Sequence, residues 1–128
     1  MPLLYSLPVI TAVAFVAGLL LMLDKAKGKS GKYIFLSVMM IGTGIMFSLT
    51  ETFIIFKRCG TDNGAVLEKL PFFILALAVN SLNCLLKGLL MRKGFAGEDG
   101  DYAKAISKAN VLDFLSVLAL ITVILVYK

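Results

Sequence analysis

The stretch PLLYSLPVITAVAFVAGLLLML, residues 2–23, decides the class of fold because it contains no charged side chain. A helix needs about 20 mainly apolar residues to cross a hydrocarbon core that is roughly 30 Å thick. No Lys or Arg precedes the run, and the run is longer than the apolar core of a signal peptide. We therefore expect a retained transmembrane helix.

Three further segments of similar length and composition follow. They cover about residues 33–56, 70–91 and 109–127, and each contains a single charged residue. The four spans take up most of the 128 residues and leave only short loops between them. The sequence therefore predicts an all-α integral membrane protein, with residues 1–128 forming one domain, a bundle of four transmembrane helices.

The overall composition agrees with a membrane protein. Hydrophobic residues make up 59% of the chain and charged residues 16%, and the mean hydropathy is +0.93. Soluble domains are about 45–50% apolar and carry roughly 25% charged residues. The apolar content excludes intrinsic disorder, and only two cysteines exclude a disulfide scaffold.

The basic residues predict an orientation. In a protein with four spans, loops 24–32 and 92–108 lie on one side of the membrane, and they hold eight Lys and Arg against four on the other side. Cytoplasmic loops carry the excess of Lys and Arg, so we expect both loops in the cytoplasm and both termini outside. The eight are Lys25, Lys27, Lys29, Lys32, Arg92, Lys93, Lys104 and Lys108, and the four are Lys57, Arg58, Lys69 and Lys128.

The net charge of +5 does not indicate nucleic-acid binding. The basic residues lie at the ends of the spans, where anionic lipid headgroups attract them. We expect contacts with membrane lipids and no nucleic-acid partner.

The two longer loops contain turn and cap signals. CGTDNG, residues 59–64, is rich in residues that form turns. In the last loop Asp101 is a candidate N-cap for a helix that begins at Tyr102 and continues into the fourth span. That helix would place Tyr102 at the level of the lipid headgroups.

Small residues share a face on the first two spans. Ala14 and Gly18 form a small-xxx-small pattern, which lets helices approach closely. On the second span Gly44, Ser48 and Glu51 lie within one narrow arc at 100° per residue. This face is therefore predicted to be buried, and Glu51 with it.

Lys87 and Asp113 are predicted to form an ion pair inside the membrane. Each lies five residues, or about 7–8 Å, from the boundary on the side of loop 92–108. Consecutive antiparallel helices pack together, so the two charges would cancel. The alternative is that Lys87 reaches the interface alone along its aliphatic stem.

Further polar residues line one face of the third span and one face of the fourth. On the third span their spacing is i, i+3, i+4 and i+7, within about 100° of the helix surface. Amide groups that face lipid stay unsatisfied, so these faces should point into protein. Hydrogen bonds between helices or an ion pathway would both explain them. The residues are Asn80, Asn83, Cys84 and Lys87 on the third span and Asn110, Asp113 and Ser116 on the fourth.

Glu51 has no charged partner at its own depth. Buried charges have to be paired or neutralised, which leaves three alternatives. Glu51 carries a proton and is neutral, or it accepts hydrogen bonds from the hydroxyls of Thr11 or Thr122, or it pairs with a basic group on another subunit.

The sequence offers no catalytic constellation. It contains no histidine and no C-x-x-C motif, and Glu51 and Asp113 lie at opposite depths. We therefore expect no enzymatic activity, no cofactor and no metal site.

The expected function is that of a non-catalytic accessory subunit in a larger membrane complex, with other integral membrane subunits as partners. In this reading Glu51, Ser48, Asn80, Asn83 and Asn110 are buried polar residues that contact other subunits. The alternative is a small ion- or proton-coupled transporter. Its polar path would run through Glu51, Asn80, Asn83, Lys87 and Asp113.

Overall fold

The computed structural model describes residues 2–97 and 99–127, and every regular element in these ranges is helical. A 3-10 helix, Leu3–Tyr5, leads into α1, Ser6–Leu23, and α2 follows at Gly31–Cys59. The other helices are α3, Asn63–Glu68, α4, Leu70–Ala96, and α5, Asp99–Val126. Met1, Glu98 and Lys128, the last of which entered the charge count above, lie outside the described residues.

Four of the helices, α1, α2, α4 and α5, are long and apolar enough to cross a membrane. This confirms the predicted all-helical class with four candidate spans. The α1–α2 and α4–α5 connections lie at one end of the bundle, which we call the α1–α2 end. The opposite end, called the α3 end, holds the 3-10 helix, α3 and the end of α5.

The helices extend beyond the predicted spans at the α1–α2 end. Helix α4 continues to Ala96 and α5 begins at Asp99, so most of the predicted loop 92–108 is helical. Helix α5 therefore starts three residues before the predicted start at Tyr102. The first part of α5 is rich in alanine, which favours helix, and the side chain of Ala105 is buried in the core.

The expected turn between the second and third spans also contains a helix. Gly60 has a φ of 62° and ends α2, and a left-handed conformation of this kind favours glycine. The Asp62 carboxylate then accepts a hydrogen bond of 2.9 Å from the backbone N–H of Gly64 and caps α3. Val66 of α3 is fully buried and packs in the core at this end.

The interior consists of two apolar clusters with polar residues between them. The cluster at the α3 end contains Leu4, Leu7, Ile55, Val66, Phe73, Ala76, Val123 and Tyr127. The cluster at the α1–α2 end contains Ala14, Met22, Ala26, Ile41, Cys84, Met91, Phe95, Tyr102, Ala105 and Ala109. Along each of the four long helices, buried polar residues separate the two clusters. We call this set, Thr11, Ser48, Glu51, Asn80, Asn83 and Ser116, the polar layer.

Helices α1 and α4 cross almost in backbone contact. A Cβ atom built on Gly88 would lie 2.5 Å from the Cα atom of Gly18. A Cβ atom on Gly18 would lie 2.5 Å from the carbonyl oxygen of Cys84. The small-residue face of α1 therefore meets a glycine on α4, and neither helix can move away from a larger side chain without disturbing both apolar clusters.

We predict that Gly88→Ala lowers the stability of the bundle by about 1–3 kcal/mol, because the new methyl group overlaps the backbone of α1. The measurement is the thermal unfolding midpoint in detergent. Gly42→Ala is the matched control, since a Cβ there would meet only Phe15 at 3.6 Å, an ordinary contact. Equal midpoints for the two variants would contradict the close crossing.

Candidate functional site

The Lys87 ammonium lies between three helices and has an acceptor for each of its N–H groups. Its Nζ atom lies 2.5 Å from Asp113 Oδ1, 2.5 Å from Thr43 Oγ1 and 3.0 Å from the carbonyl oxygen of Met40. A lysine ammonium has three donors and no acceptor. The structure therefore joins the two residues of the predicted pair, and α2 supplies two further acceptors. We call this group the Lys87 site.

Asp113 has additional donors around the same carboxylate. The Thr43 hydroxyl lies 3.0 Å from Asp113 Oδ1 and 2.8 Å from the Met40 carbonyl, so its one proton goes to either acceptor. The Asn83 side-chain N–H is 3.4 Å from the same Oδ1 atom. The Lys87 side chain is 0% exposed and that of Asp113 is 28% exposed. The site is thus closed on the lysine side and partly open on the aspartate side.

Asn83 connects the Lys87 site with the polar layer. Its Nδ2 atom donates to the Ser116 hydroxyl at 2.8 Å. The same atom lies 3.4 Å from the carbonyl oxygen of Leu112. Asn83 is 2% exposed, and its Oδ1 atom has no hydrogen-bond partner among the described residues. The amide therefore links α4 to α5 and leaves one buried acceptor unused.

Glu51 and Asn80 form the centre of the polar layer. Asn80 Nδ2 donates to Glu51 Oε2 at 2.6 Å, and both residues are 0% exposed. Three nearby oxygens, Glu51 Oε1, Asn80 Oδ1 and Ser48 Oγ, are buried without a hydrogen-bond partner in the described chain. Neither ion pair found there, Lys87–Asp113 or Arg92–Asp24, includes Glu51.

The structure argues against two of the three alternatives for Glu51. The hydroxyls of Thr11 and Thr122 donate to the carbonyls of Leu7 and Leu118, each at 2.8 Å, so the alternative in which they donate to Glu51 does not hold. Hydroxyls within a helix commonly bond back to the preceding turn. The protein's own helices cover Glu51 in the single chain, which argues against direct contact with a basic group of another subunit. Neutralisation by a proton stays a prediction.

The same burial changes the prediction of contacts with other subunits. Ser48 and Asn80 are fully covered by the chain itself, so neither presents a polar group to a neighbour. Asn110 was predicted to be buried but is exposed. At 100° per residue it points well away from Ala109, which is buried in the apolar cluster at the α1–α2 end.

Tyr102 makes contacts with α2 and α4 that the sequence did not predict. Its hydroxyl lies 2.9 Å from the Ser37 hydroxyl and donates to the Tyr33 carbonyl at 3.1 Å. Its ring stacks on Phe95 with centroids 5.1 Å apart. Tyr102 is 9% exposed, because α5 begins early enough to pack this turn against α2, and its position at the headgroup level stays a prediction.

Comparisons with known protein families, with curated proteins and with solved structures give no match. In the two described ranges, no group of three or more His, Cys, Asp or Glu side chains is placed to hold a metal ion.

We predict an asymmetry between the two partners of the Lys87 site. Asp113→Leu leaves a fully buried ammonium without a counter-charge, which costs about 3–5 kcal/mol of stability. Lys87→Met costs less, because Asp113 is partly exposed and keeps Thr43 and Asn83 as donors. Chemical unfolding in mixed micelles measures both variants.

Two further variants test whether the buried ion pair at the Lys87 site causes these losses of stability. The double variant Lys87→Met with Asp113→Leu should recover much of the loss, because an apolar pair replaces the buried charges. Asp24→Asn breaks the exposed pair with Arg92 and should change the free energy of unfolding by about 1 kcal/mol or less. Equal losses for Asp24→Asn and Asp113→Leu would contradict the importance of the buried site.

Proposed function

We propose that this chain is a small multi-pass membrane transporter that binds a proton or a monovalent cation at Glu51 and couples its exchange to transport. One observation carries the proposal: Glu51 is completely buried, accepts one hydrogen bond from Asn80, and has no cationic partner in the described chain. The polar layer places this carboxyl group between two apolar clusters, eight residues, or about 12 Å at helical rise, from the end of α2 at Cys59.

The physical argument starts from the free energy of an isolated charge. An ionised carboxylate in an apolar interior is unfavourable by several kcal/mol unless it is paired. A proton or a small cation supplies the missing charge, and the unpartnered oxygens of Ser48, Asn80 and Glu51 are suited to receive it. Ionisable residues at membrane depth commonly mark ion or substrate pathways.

The polar groups also continue from Glu51 towards one end of the bundle. Asn80 and Asn83 are one helical turn apart on α4, and Asn83 contacts both Ser116 and Asp113. Asp113 is 28% exposed, so it is the point of entry in this proposal. With the orientation inferred from the Lys and Arg count, the termini lie outside and the α1–α2 end lies in the cytoplasm.

Glu51→Gln tests the proposal, because glutamine keeps the size and hydrogen-bonding capacity of the side chain but cannot gain or lose a proton. We expect the flux of protons or monovalent cations into liposomes to fall at least tenfold. A pH-sensitive dye inside the vesicles and ion-selective electrodes give the rates. The control is Glu68→Gln, the same change at an exposed residue of α3, which should leave the flux unchanged.

The thermal unfolding midpoint separates function from folding. Glu51→Gln should unfold at or above the temperature of the original protein, because the variant removes a buried ionisable group. An unchanged flux in a folded Glu51→Gln variant would refute the proposal. So would a reconstituted original protein that conducts none of the tested ions.

A second proposed function, an accessory subunit of a larger membrane complex, is favoured by Asn110. This residue is exposed on α5 beside Val111 and Phe114, which are 60% and 70% exposed. An amide at the edge of an apolar face is better satisfied by a hydrogen bond across a helix interface than by lipid. The partners would be other integral membrane subunits.

We predict that the protein co-migrates with larger membrane proteins after purification in mild detergent, and that Asn110→Leu weakens this association. Size-exclusion chromatography followed by mass spectrometry identifies the bound partners. Ser107→Ala on the same exposed side of α5 is the control and should retain them. A stable lone monomer in mild detergent would argue against an accessory subunit.

A further inference from the structure

A continuous groove follows the outer seam between α4 and α5. Three cavities of about 160, 330 and 100 Å³ lie along it in series. The first and second share Leu90, Lys93 and Lys108, and the second and third share Leu86 and Leu112. We call this feature the α4–α5 groove. From Lys93 to its deepest residue, Val79, it follows α4 for 14 residues, or about 21 Å at helical rise.

Small residues create the upper part of the groove. A Cβ atom on Gly94 would lie 3.1 Å from the Cβ atom of Ala105 and 3.1 Å from the Cα atom of Tyr102. The two helices therefore approach closely there, and Gly94 and Ala105 line the cavity of about 160 Å³. The result is a depression at the end of the bundle where the basic residues lie.

The chemistry of the walls changes along the groove. At the α1–α2 end the lining includes the exposed side chains of Lys93, Lys104 and Lys108, together with Asp101. A neighbouring cavity of about 390 Å³ adds Lys25 and Arg92 around the same Lys93. The deeper lining is apolar apart from Asn83 and consists of Val79, Leu82, Leu86, Leu89, Leu112 and Leu115.

We propose that the α4–α5 groove binds an anionic glycerophospholipid. Its phosphate lies among Lys93, Lys104 and Lys108, and one acyl chain follows the leucine-lined part towards the bilayer centre. The cationic end attracts an anionic headgroup, since each Lys or Arg near a membrane surface adds to that attraction. The leucine-lined part of the groove accommodates an acyl chain, which distinguishes a phospholipid from free phosphate. This site is independent of Glu51 and of transport.

Binding of defined lipids to the full chain in detergent micelles tests the proposal. Native mass spectrometry compares phosphatidylglycerol with phosphatidylcholine of the same chain length, and inorganic phosphate is the third probe. We expect tighter binding of phosphatidylglycerol, weakened by added salt because screening shortens the range of the attraction. Equal binding of the two lipids would overturn the proposal, as would inorganic phosphate that competes at the concentration of the lipid.

Charge variants locate the headgroup. Lys93→Gln with Lys108→Gln should weaken phosphatidylglycerol binding roughly tenfold or more, because two cationic contacts are lost. Lys57→Gln with Lys69→Gln makes the same change in net charge at the α3 end and should leave binding unchanged. If both double variants lost the same amount of phosphatidylglycerol binding, net charge alone would explain the effect and the proposed headgroup site would be overturned.

A filling variant locates the acyl chain. Leu112→Trp occupies the second and third cavities and should weaken binding of the long-chain lipid, while a short-chain phosphatidylglycerol is affected much less. The thermal unfolding midpoint without lipid shows that each variant is folded. A folded Leu112→Trp protein that binds both lipids like the original would overturn the position of the chain.

Discussion

The central constraint in this bundle is the ammonium group of Lys87. A buried charge of this kind is tolerated only with a counter-charge and a full set of hydrogen bonds. Asp113 supplies the charge, and Thr43 and Met40 supply the other acceptors. Because these groups come from α2, α4 and α5, the requirement fixes the relative depth and rotation of three helices at once. The remaining long helix, α1, is placed by the crossing at Gly18 and Gly88.

The polar layer has a different character from the Lys87 site. At the Lys87 site each donor of the cation has an acceptor in the protein, which is the arrangement expected of a structural contact. Around Glu51 there are fewer hydrogen-bond donors than acceptors, since one amide donates to the carboxyl group and several oxygens lack partners. A buried carboxyl group whose only role is packing gains no stability from this lack of hydrogen-bond donors. This contrast is the reason for placing the proposed exchange of a proton or cation at Glu51.

Burial also changed the relative support for the two functions. The expectation of an accessory subunit included buried polar residues on three helices that contact other subunits. In the structure most of these polar groups meet one another across the α4–α5 and α2–α4 contacts, so they do not require a second subunit. Asn110 is the exception because it lies on the outer surface. Support for a partner subunit therefore comes from the exposed face of α5 and not from the buried polar residues.

The sequence by itself determined four helices long and apolar enough to cross a membrane, because a mainly apolar run of about 20 residues is stable as a helix in lipid and excludes most other structures there. It also indicated which faces of α1, α2 and α4 are buried, since helical periodicity relates spacing to direction. Only the tertiary structure brought Thr43 to Lys87, joined Asn80 to Glu51, buried Tyr102 and exposed Asn110. These contacts depend on the rotation and crossing of helices distant in the chain. A spacing pattern gives the direction of a side chain on its own helix and does not identify the atom it meets on another.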